Sequence, residues 1–154
     1  MSFVPPREQL RGLSLECASL YGMPNVGTRY ERDDTDSNRL EDGAVCARCG
    51  ARATNSHHEP PRSKGRSFIL ATKMGRFVLK PALIALCGSG TTGCHGLRHS
   101  GRLKIRWEWD SDEIAEKWWS GWWLSHGYHA NSVRLFDLGR YVFSEDGREW
   151  ELRR

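Results

Sequence analysis

The chain has 154 residues and a net charge of +4, which suits one decorated domain and leaves little room for two. It has no apolar stretch long enough to cross a bilayer and no signal-peptide core at its start, which predicts a soluble, intracellular protein with no membrane partner. Its five cysteines, in a reducing compartment, favour metal binding over disulfides.

The first 45 residues are predicted to form an N-terminal extension with an acidic linker. A short helix is expected over residues 8–20, ending at Tyr21-Gly22-Met23-Pro24. Residues 28–44 are rich in turn formers, which predicts a loop that leads into the next motif. Its acidic run from Glu31 to Asn38 argues against DNA contact there, because carboxylates repel phosphate.

Four of the cysteines fall into two local pairs. Cys46 and Cys49 have the spacing of a zinc knuckle, in which two sulfurs close a tight turn and the following glycine can take a positive φ. Cys87 and Cys94 are separated by six residues. A structural zinc ion takes four such ligands in a tetrahedron, so we expect the two pairs to share one ion. The alternative is that Cys87 and Cys94 are only buried small residues.

The segment between the cysteine pairs is predicted to alternate strands with a basic loop: extended residues at 51–58, the loop at 59–66, strands at 68–70 and 77–79, and a buried apolar strand at 83–87. A short helix is expected from about residue 93 to residue 100, with Thr91 or Thr92 as N-cap and Gly101 as its stop. Two strands followed by a helix form a ββα unit.

The C-terminal residues 107–154 are predicted to pack on this core. Leu103 to Trp109 alternate apolar and polar residues, as in a strand with one buried face. Asp110 and Glu113 have capping-box spacing for a helix that runs to about Ser125. Four tryptophans recur on it at i and i+4, which favours a core stripe over base stacking: Trp118, Trp119, Trp122 and Trp123. A terminal hairpin turning at Asp146-Gly147 follows.

Positive charge is concentrated between residues 51 and 106. This segment has eleven basic side chains and the single acid Glu59, so its net charge is +10 and the rest of the chain has −6. A charge run is usually a solvated face, but the same segment also contains four of the six histidines. A polyanion such as nucleic acid is therefore the favoured partner.

These four histidines have spacings that fit a metal site. His95 and His99 are four residues apart on the predicted helix, so they share one face and can bind one ion. His57 and His58 are adjacent on an extended segment and point to opposite sides, so one would complete the site and the other would accept a proton. Hydrolysis of a phosphodiester requires this division, a cation to neutralise the phosphate and an imidazole to activate water.

The motifs together resemble the HNH endonucleases with a four-cysteine zinc clamp, in particular the small members found in phages and prophages. The likeness covers residues 46–101 and rests on Cys46-Ala47-Arg48-Cys49, on Ser56-His57-His58-Glu59-Pro60-Pro61 and on Leu83-Ile84-Ala85-Leu86-Cys87-Gly88-Ser89-Gly90-Thr91-Thr92-Gly93-Cys94-His95-Gly96. It implies an α+β fold, in which a zinc-clamped ββα-metal nuclease core over residues 46–106 is extended by the C-terminal strand, Trp-rich helix and hairpin.

The resemblance also implies a role for each histidine. His58 resembles the general base, and His57 resembles a metal ligand that is an aspartate in many relatives. His95 resembles the final histidine ligand of the family, and His99 the second helix histidine of members with a three-histidine site. The expected catalytic residues are thus His58, His57 and His95. The family's middle asparagine, which fastens the base-bearing loop, is Ala82 here.

Such proteins cut or nick DNA with a divalent cation, and those of phages often work with the packaging terminase in the cytoplasm of the bacterial host. The resemblance therefore implies a DNA endonuclease with a structural Zn²⁺ and a catalytic cation. Mn²⁺, Ni²⁺, Co²⁺ or Zn²⁺ should serve at least as well as Mg²⁺, because imidazole suits them better. Basic residues expected to grip the DNA backbone are Arg62, Lys64, Arg66, Arg98 and Lys104.

Two alternatives remain open from the sequence. The first is a zinc-stabilised DNA-binding or packaging accessory module that has lost catalysis together with the asparagine. The second is a redox protein that uses its CxxC motif, against which stands the lack of a βαβ pattern around Cys46.

Overall fold

The computed structural model describes residues 3–30, 38–59, 67–128, 133–148 and 151–153. The mixed α and β content predicted from the sequence is confirmed, with short strands and short helices. In chain order the strands are β1 (Thr28–Tyr30), β2 (Asn38–Leu40), β3 (Asn55–Glu59), β4 (Phe68–Thr72), β5 (Gly75–Leu79), β6 (Ala82–Leu86), β7 (Leu103–Trp109), β8 (Gly139–Glu145) and β9 (Glu151–Arg153), and the α-helices are α1 (Leu15–Ala18), α2 (Gly93–His99), α3 (Asp112–Trp119) and α4 (Trp122–Ser125).

The centre of the molecule is an antiparallel pair of strands followed by a helix. β3 pairs with β6 in a register that sets His57 opposite Ile84 and Glu59 opposite Ala82. All five residues of β6 are buried, as its continuous apolar sequence predicts. α2 follows β6 after a short loop, with Thr92 in the extended conformation at its N-cap. Gly101, at φ 79°, follows the helix and ends it, because this conformation favours glycine.

The strands at 68–70 and 77–79 predicted between the two cysteine pairs are the antiparallel hairpin of β4 and β5. Its inward side chains, Phe68, Leu70 and Leu79, are buried in the core. One boundary in this region differs from the prediction. Glu59 was expected to begin the basic loop, but it is the last residue of β3 and is fully buried. The rest of that loop, residues 60–66, lies outside the described residues.

Two predictions for the N-terminal part are wrong. The single helix expected over residues 8–20 is replaced by a 3-10 helix at Arg7–Gln9 and by the short α1. Arg11 and Gly12 separate them with φ values of 51° and 79°, which a right-handed helix cannot continue. The loop expected over residues 28–44 contains the antiparallel pair of β1 and β2. Most of its acidic run, residues 31–37, lies outside the described residues.

The C-terminal strand and hairpin form a three-stranded sheet in the order β7-β8-β9. The predicted bounds of β7 and the turn at Asp146-Gly147 are both confirmed. The predicted helix to Ser125 is broken, because Gly121 has φ 83° and lies against Thr72, where a side chain would collide. The capping-box prediction is also wrong: the N-cap is Ser111, whose hydroxyl accepts a hydrogen bond from the backbone of Ile114.

The tryptophans divide at this break. Trp118 and Trp119 on α3 are buried, whereas Trp122 and Trp123 on α4 are half-buried. The core prediction therefore holds for the first pair and only in part for the second. One cluster of buried side chains includes residues from all three predicted segments, among them Tyr21, Leu86 and Phe143. No helix in the described part of the chain is long and apolar enough to cross a membrane.

Candidate metal centres

The four predicted zinc ligands converge where three segments meet. Cys46 and Cys49 lie on a turn before β3, Cys87 directly follows β6, and Cys94 is in the first turn of α2. Their sulfur atoms lie within 4.8 Å of one another, and the Sγ atoms of Cys49 and Cys87 are 3.6 Å apart. Sulfurs bound to one tetrahedral zinc ion at about 2.3 Å are about 3.8 Å apart. The cluster thus has the dimensions of a metal site, and the prediction that these cysteines come together is confirmed.

Hydrogen bonds hold the sulfurs in this arrangement. The amide of Gly50, which has φ 78°, donates to the carbonyl of Cys46 at 3.0 Å and closes the turn. The amide of Cys94 donates to Cys87 Sγ at 3.4 Å. The Arg48 guanidinium lies 3.7 Å from Cys94 Sγ and also pairs with Glu145 at 3.2 Å. Arg48 was not predicted to belong to this site, although it stands inside the CxxC motif.

The electrostatics of the cluster favour a bound cation. Burial raises the pKa of the Cys46 thiol, but hydrogen bonds from the backbone of Cys49, Cys87 and Arg48 outweigh it and bring the pKa to about 7. Burial raises the pKa of Cys49 and Cys94, and the neighbouring sulfurs raise it further. The first thiolate therefore opposes ionisation of the others unless a cation neutralises them. Among common divalent ions, zinc prefers a set of four sulfur ligands.

The second cluster joins β3 to α2 through three imidazoles. One ring nitrogen from each of His57, His95 and His99 lies within 4.8 Å of the others. The ring centroids are 4.9 Å apart for His57 and His95, 5.2 Å for His57 and His99, and 4.4 Å for His95 and His99. The Nε2 atoms of His95 and His99 are 2.8 Å apart, as their i, i+4 spacing on one helix face predicts.

Two features of the histidine cluster fit a cation. Among the described residues, buried His57 Nε2 and His95 Nδ1 have no hydrogen-bond partner, and such nitrogens are costly unless a ligand satisfies them. Burial lowers the pKa of His95, and the neighbouring His57 and His99 lower it further, so this imidazole is held neutral, the form that binds metals. Exposure increases from His57, which is buried, to His99, so the cluster opens to solvent at His99.

The predicted general base, His58, lies beside this cluster on β3. It is half-buried, whereas its neighbour His57 is buried. Because side chains alternate along a strand, the two imidazoles project to opposite faces of the ladder. Among the described strands β3 pairs with β6 alone.

A buried carboxylate at the histidine cluster was not identified from the sequence. Glu59 is fully buried, and its Oε1 lies 2.7 Å from Arg98 Nε on α2 and 3.1 Å from His57 Nε2. The approach to His57 is close but lacks the alignment of a hydrogen bond. A signal was present in the sequence: Glu59 is the only acid among eleven basic residues and stands two positions from His57, on the same strand face.

The five residues predicted to contact DNA differ in exposure, and three of them lie outside the described residues. Arg62, Lys64 and Arg66 lie outside the described residues. Arg98 is largely covered and pairs with Glu59, so part of its charge is compensated inside the protein. Lys104 is exposed on β7.

An open groove of about 780 Å³ runs along α2 from the sulfur cluster to His99. Cys49, Cys87 and Cys94 line one part of it, and His99 and Arg102 another.

Comparison of the chain with protein-family models, curated proteins and solved structures gave no match.

Proposed function

We propose that this protein is a metal-dependent endonuclease that hydrolyses or nicks DNA. The observation that carries the proposal is the convergence of three imidazoles from β3 and α2 on one point. The chain thus has two candidate metal sites with different ligands, one made of sulfurs and one made of imidazoles. Sulfur ligands serve a structural zinc ion, and imidazoles with an open side serve an ion that must accept a substrate. The net charge of +10 over residues 51–106 favours a polyanionic substrate.

In this mechanism His57, His95 and His99 would hold the divalent cation. When bound, the cation would neutralise negative charge on the scissile phosphate and on the leaving oxygen. The solvent-exposed side of the cluster, at His99, is where a phosphate has room to approach. The low pKa of His95 keeps that ligand unprotonated at neutral pH.

His58 is the proposed proton acceptor for the attacking water. A neutral imidazole has an ordinary pKa of about 6.5, which suits a general base at neutral pH. A DNA backbone along the outer edge of β3 would meet His57 on one face and His58 on the other. The basic residues of the 60–66 segment, which follows β3 directly in the chain, are proposed to bind neighbouring phosphates.

The test is incubation of supercoiled plasmid with the zinc-loaded protein across a panel of Mg²⁺, Mn²⁺, Ni²⁺, Co²⁺ and added Zn²⁺. We expect nicked or linear DNA with manganese, nickel or cobalt in amounts at least equal to those with magnesium. His58→Ala should lower the rate by roughly 10²–10⁴-fold without loss of the structural zinc. Cleavage supported by magnesium alone would contradict the three-imidazole site.

His126→Ala is the matched control variant. His126 is an exposed histidine outside both clusters, stacked on Trp122 with ring centroids 3.9 Å apart. Its loss should leave nicking unchanged. If His58→Ala and His126→Ala both cut DNA like the unaltered protein, His58 is not the base.

A second candidate function is a zinc-stabilised DNA-binding or packaging accessory module without catalysis. The observation in its favour is Ala82, which is fully buried opposite Glu59 and offers no side-chain hydrogen bond where the HNH family has an asparagine. DNA binding without cleavage under every metal in the panel would favour this module over the enzyme. In either case the phage packaging terminase is the proposed partner, and pull-down of a terminase large subunit tests that part.

A further inference from the structure

We propose that Glu59 is a positioning residue for the histidine cluster, and that its buried carboxylate, held by Arg98, fixes His57 for binding a divalent cation together with His95 and His99. This inference rests on the proposed function, because it concerns the cation site of that same cluster. Glu59 would act through His57 and would not itself touch DNA.

The geometry shows how the carboxylate acts. His57 and Glu59 are two residues apart on β3 and share a face, while His95, Arg98 and His99 lie on α2. The Glu59–Arg98 pair, at 2.7 Å, therefore clamps the helix to the strand at the place where the three imidazoles meet. With Oε1 also 3.1 Å from His57 Nε2, the carboxylate limits rotation of that ring.

A purely structural role explains the pair poorly. Glu59 has no exposed surface, and its Oε2 has no hydrogen-bond partner among the described residues. A buried ion pair with such an orphaned oxygen is weak support for stability, since well-packed apolar residues of similar size often stabilise as much or more. Beside a cation site the negative charge of Glu59 is favourable, because it offsets part of the positive charge that a divalent ion brings to neutral imidazoles.

The test uses a double substitution, Glu59→Leu with Arg98→Met, in the full chain loaded with structural zinc. Replacing both partners leaves no unpaired buried charge, so the fold should survive where Glu59→Ala alone could unfold it. The matched control removes a different ion pair, Glu108→Leu with Arg140→Met. Those two side chains face each other across β7 and β8, 3.5 Å apart.

Nickel binding by calorimetry and the visible spectrum of bound cobalt are the measurements. We expect the Glu59/Arg98 variant to bind Ni²⁺ about 10–100-fold more weakly, with an altered cobalt spectrum, while its thermal midpoint and structural zinc stay close to those of the unaltered protein. The Glu108/Arg140 variant should bind both ions as the unaltered protein does.

The outcomes separate this inference from the proposed function. A nickel Kd within threefold of the unaltered value in the Glu59/Arg98 variant overturns the positioning role alone. Equal nickel binding by the unaltered protein and by His57→Ala would refute the cation site at the histidine cluster. The proposed endonuclease would then be refuted as well. Tight nickel binding through His57 without any nicking of DNA refutes the endonuclease but leaves the role of Glu59 intact.

Discussion

Cys49 offers a clean test of whether the sulfur cluster holds a structural metal ion. Its side chain is exposed, whereas Cys46 and Cys94 are buried. An exposed side chain without a special role changes stability by only about 0.5 kcal/mol when it is replaced. A large loss on Cys49→Ala would therefore report the loss of a ligand, not the loss of packing.

The size of the expected effect follows from the ligand count. Structural zinc contributes about 10–16 kcal/mol of apparent binding free energy in small zinc domains, so one ligand of four accounts for roughly 2.5–4 kcal/mol. In a chain of this length about 1 kcal/mol corresponds to roughly 2–4 °C, which gives a fall in the melting temperature of roughly 5–16 °C. Circular dichroism melts and metal analysis after dialysis against a chelator measure the two quantities.

Cys17→Ala is the control for Cys49→Ala, because Cys17 is a thiol outside the sulfur cluster. It should keep both the bound zinc and the melting temperature. The reasoning is refuted if Cys49→Ala melts within about 2 °C of the unaltered protein and retains one tightly bound zinc ion per chain, an effect no larger than that of an ordinary surface change.

Three further predictions concern the scaffold. Trp118 is buried in the core, and Trp118→Ala should lower the free energy of unfolding by about 3–5 kcal/mol in urea titrations; an unchanged midpoint would contradict its core role. Gly88 has φ 88°, and a Cβ there would collide with the carbonyl of Thr92, so Gly88→Ala should displace the loop after Cys87 and release zinc, as metal analysis can show. Two hydrogen bonds from Arg102 lower the pKa of Asp146, so this pair stabilises above the unfolded pKa of about 3.9 and the effect is lost as the pH falls through the folded value. Asp146→Asn should unfold at lower denaturant than the unaltered protein at pH 7 but equally near pH 2.

The C-terminal helix shows where local patterns mislead. Trp118 and Trp122 have i, i+4 spacing, which predicts one continuous amphipathic helix. The chain instead turns at Gly121, because the backbone there lies against Thr72 of the β4–β5 hairpin. Helical periodicity describes one segment, and it contains no information about which distant segment will occupy the space beside it.

The prediction of one N-terminal helix was wrong for a local reason that was visible in the sequence. Arg11-Gly12 interrupts the predicted helix, and glycine is a poor helix former that readily takes positive φ. The apolar residues on either side still enter the core, among them Leu20, which is fully buried. Burial was thus easier to predict from residue type than the exact secondary structure.

By itself the sequence determined the two candidate groups of metal ligands, because residue type sets ligand chemistry and short spacings set which side chains share a turn or a helix face. CxxC at Cys46 and the i, i+4 pair His95 and His99 are of this kind. Only the tertiary structure decided that β3 pairs with β6, which brings His57 to α2 and buries Glu59 against Arg98. Those contacts join residues between 23 and 39 positions apart, and their energy comes from burial summed over the whole core, which no local pattern encodes.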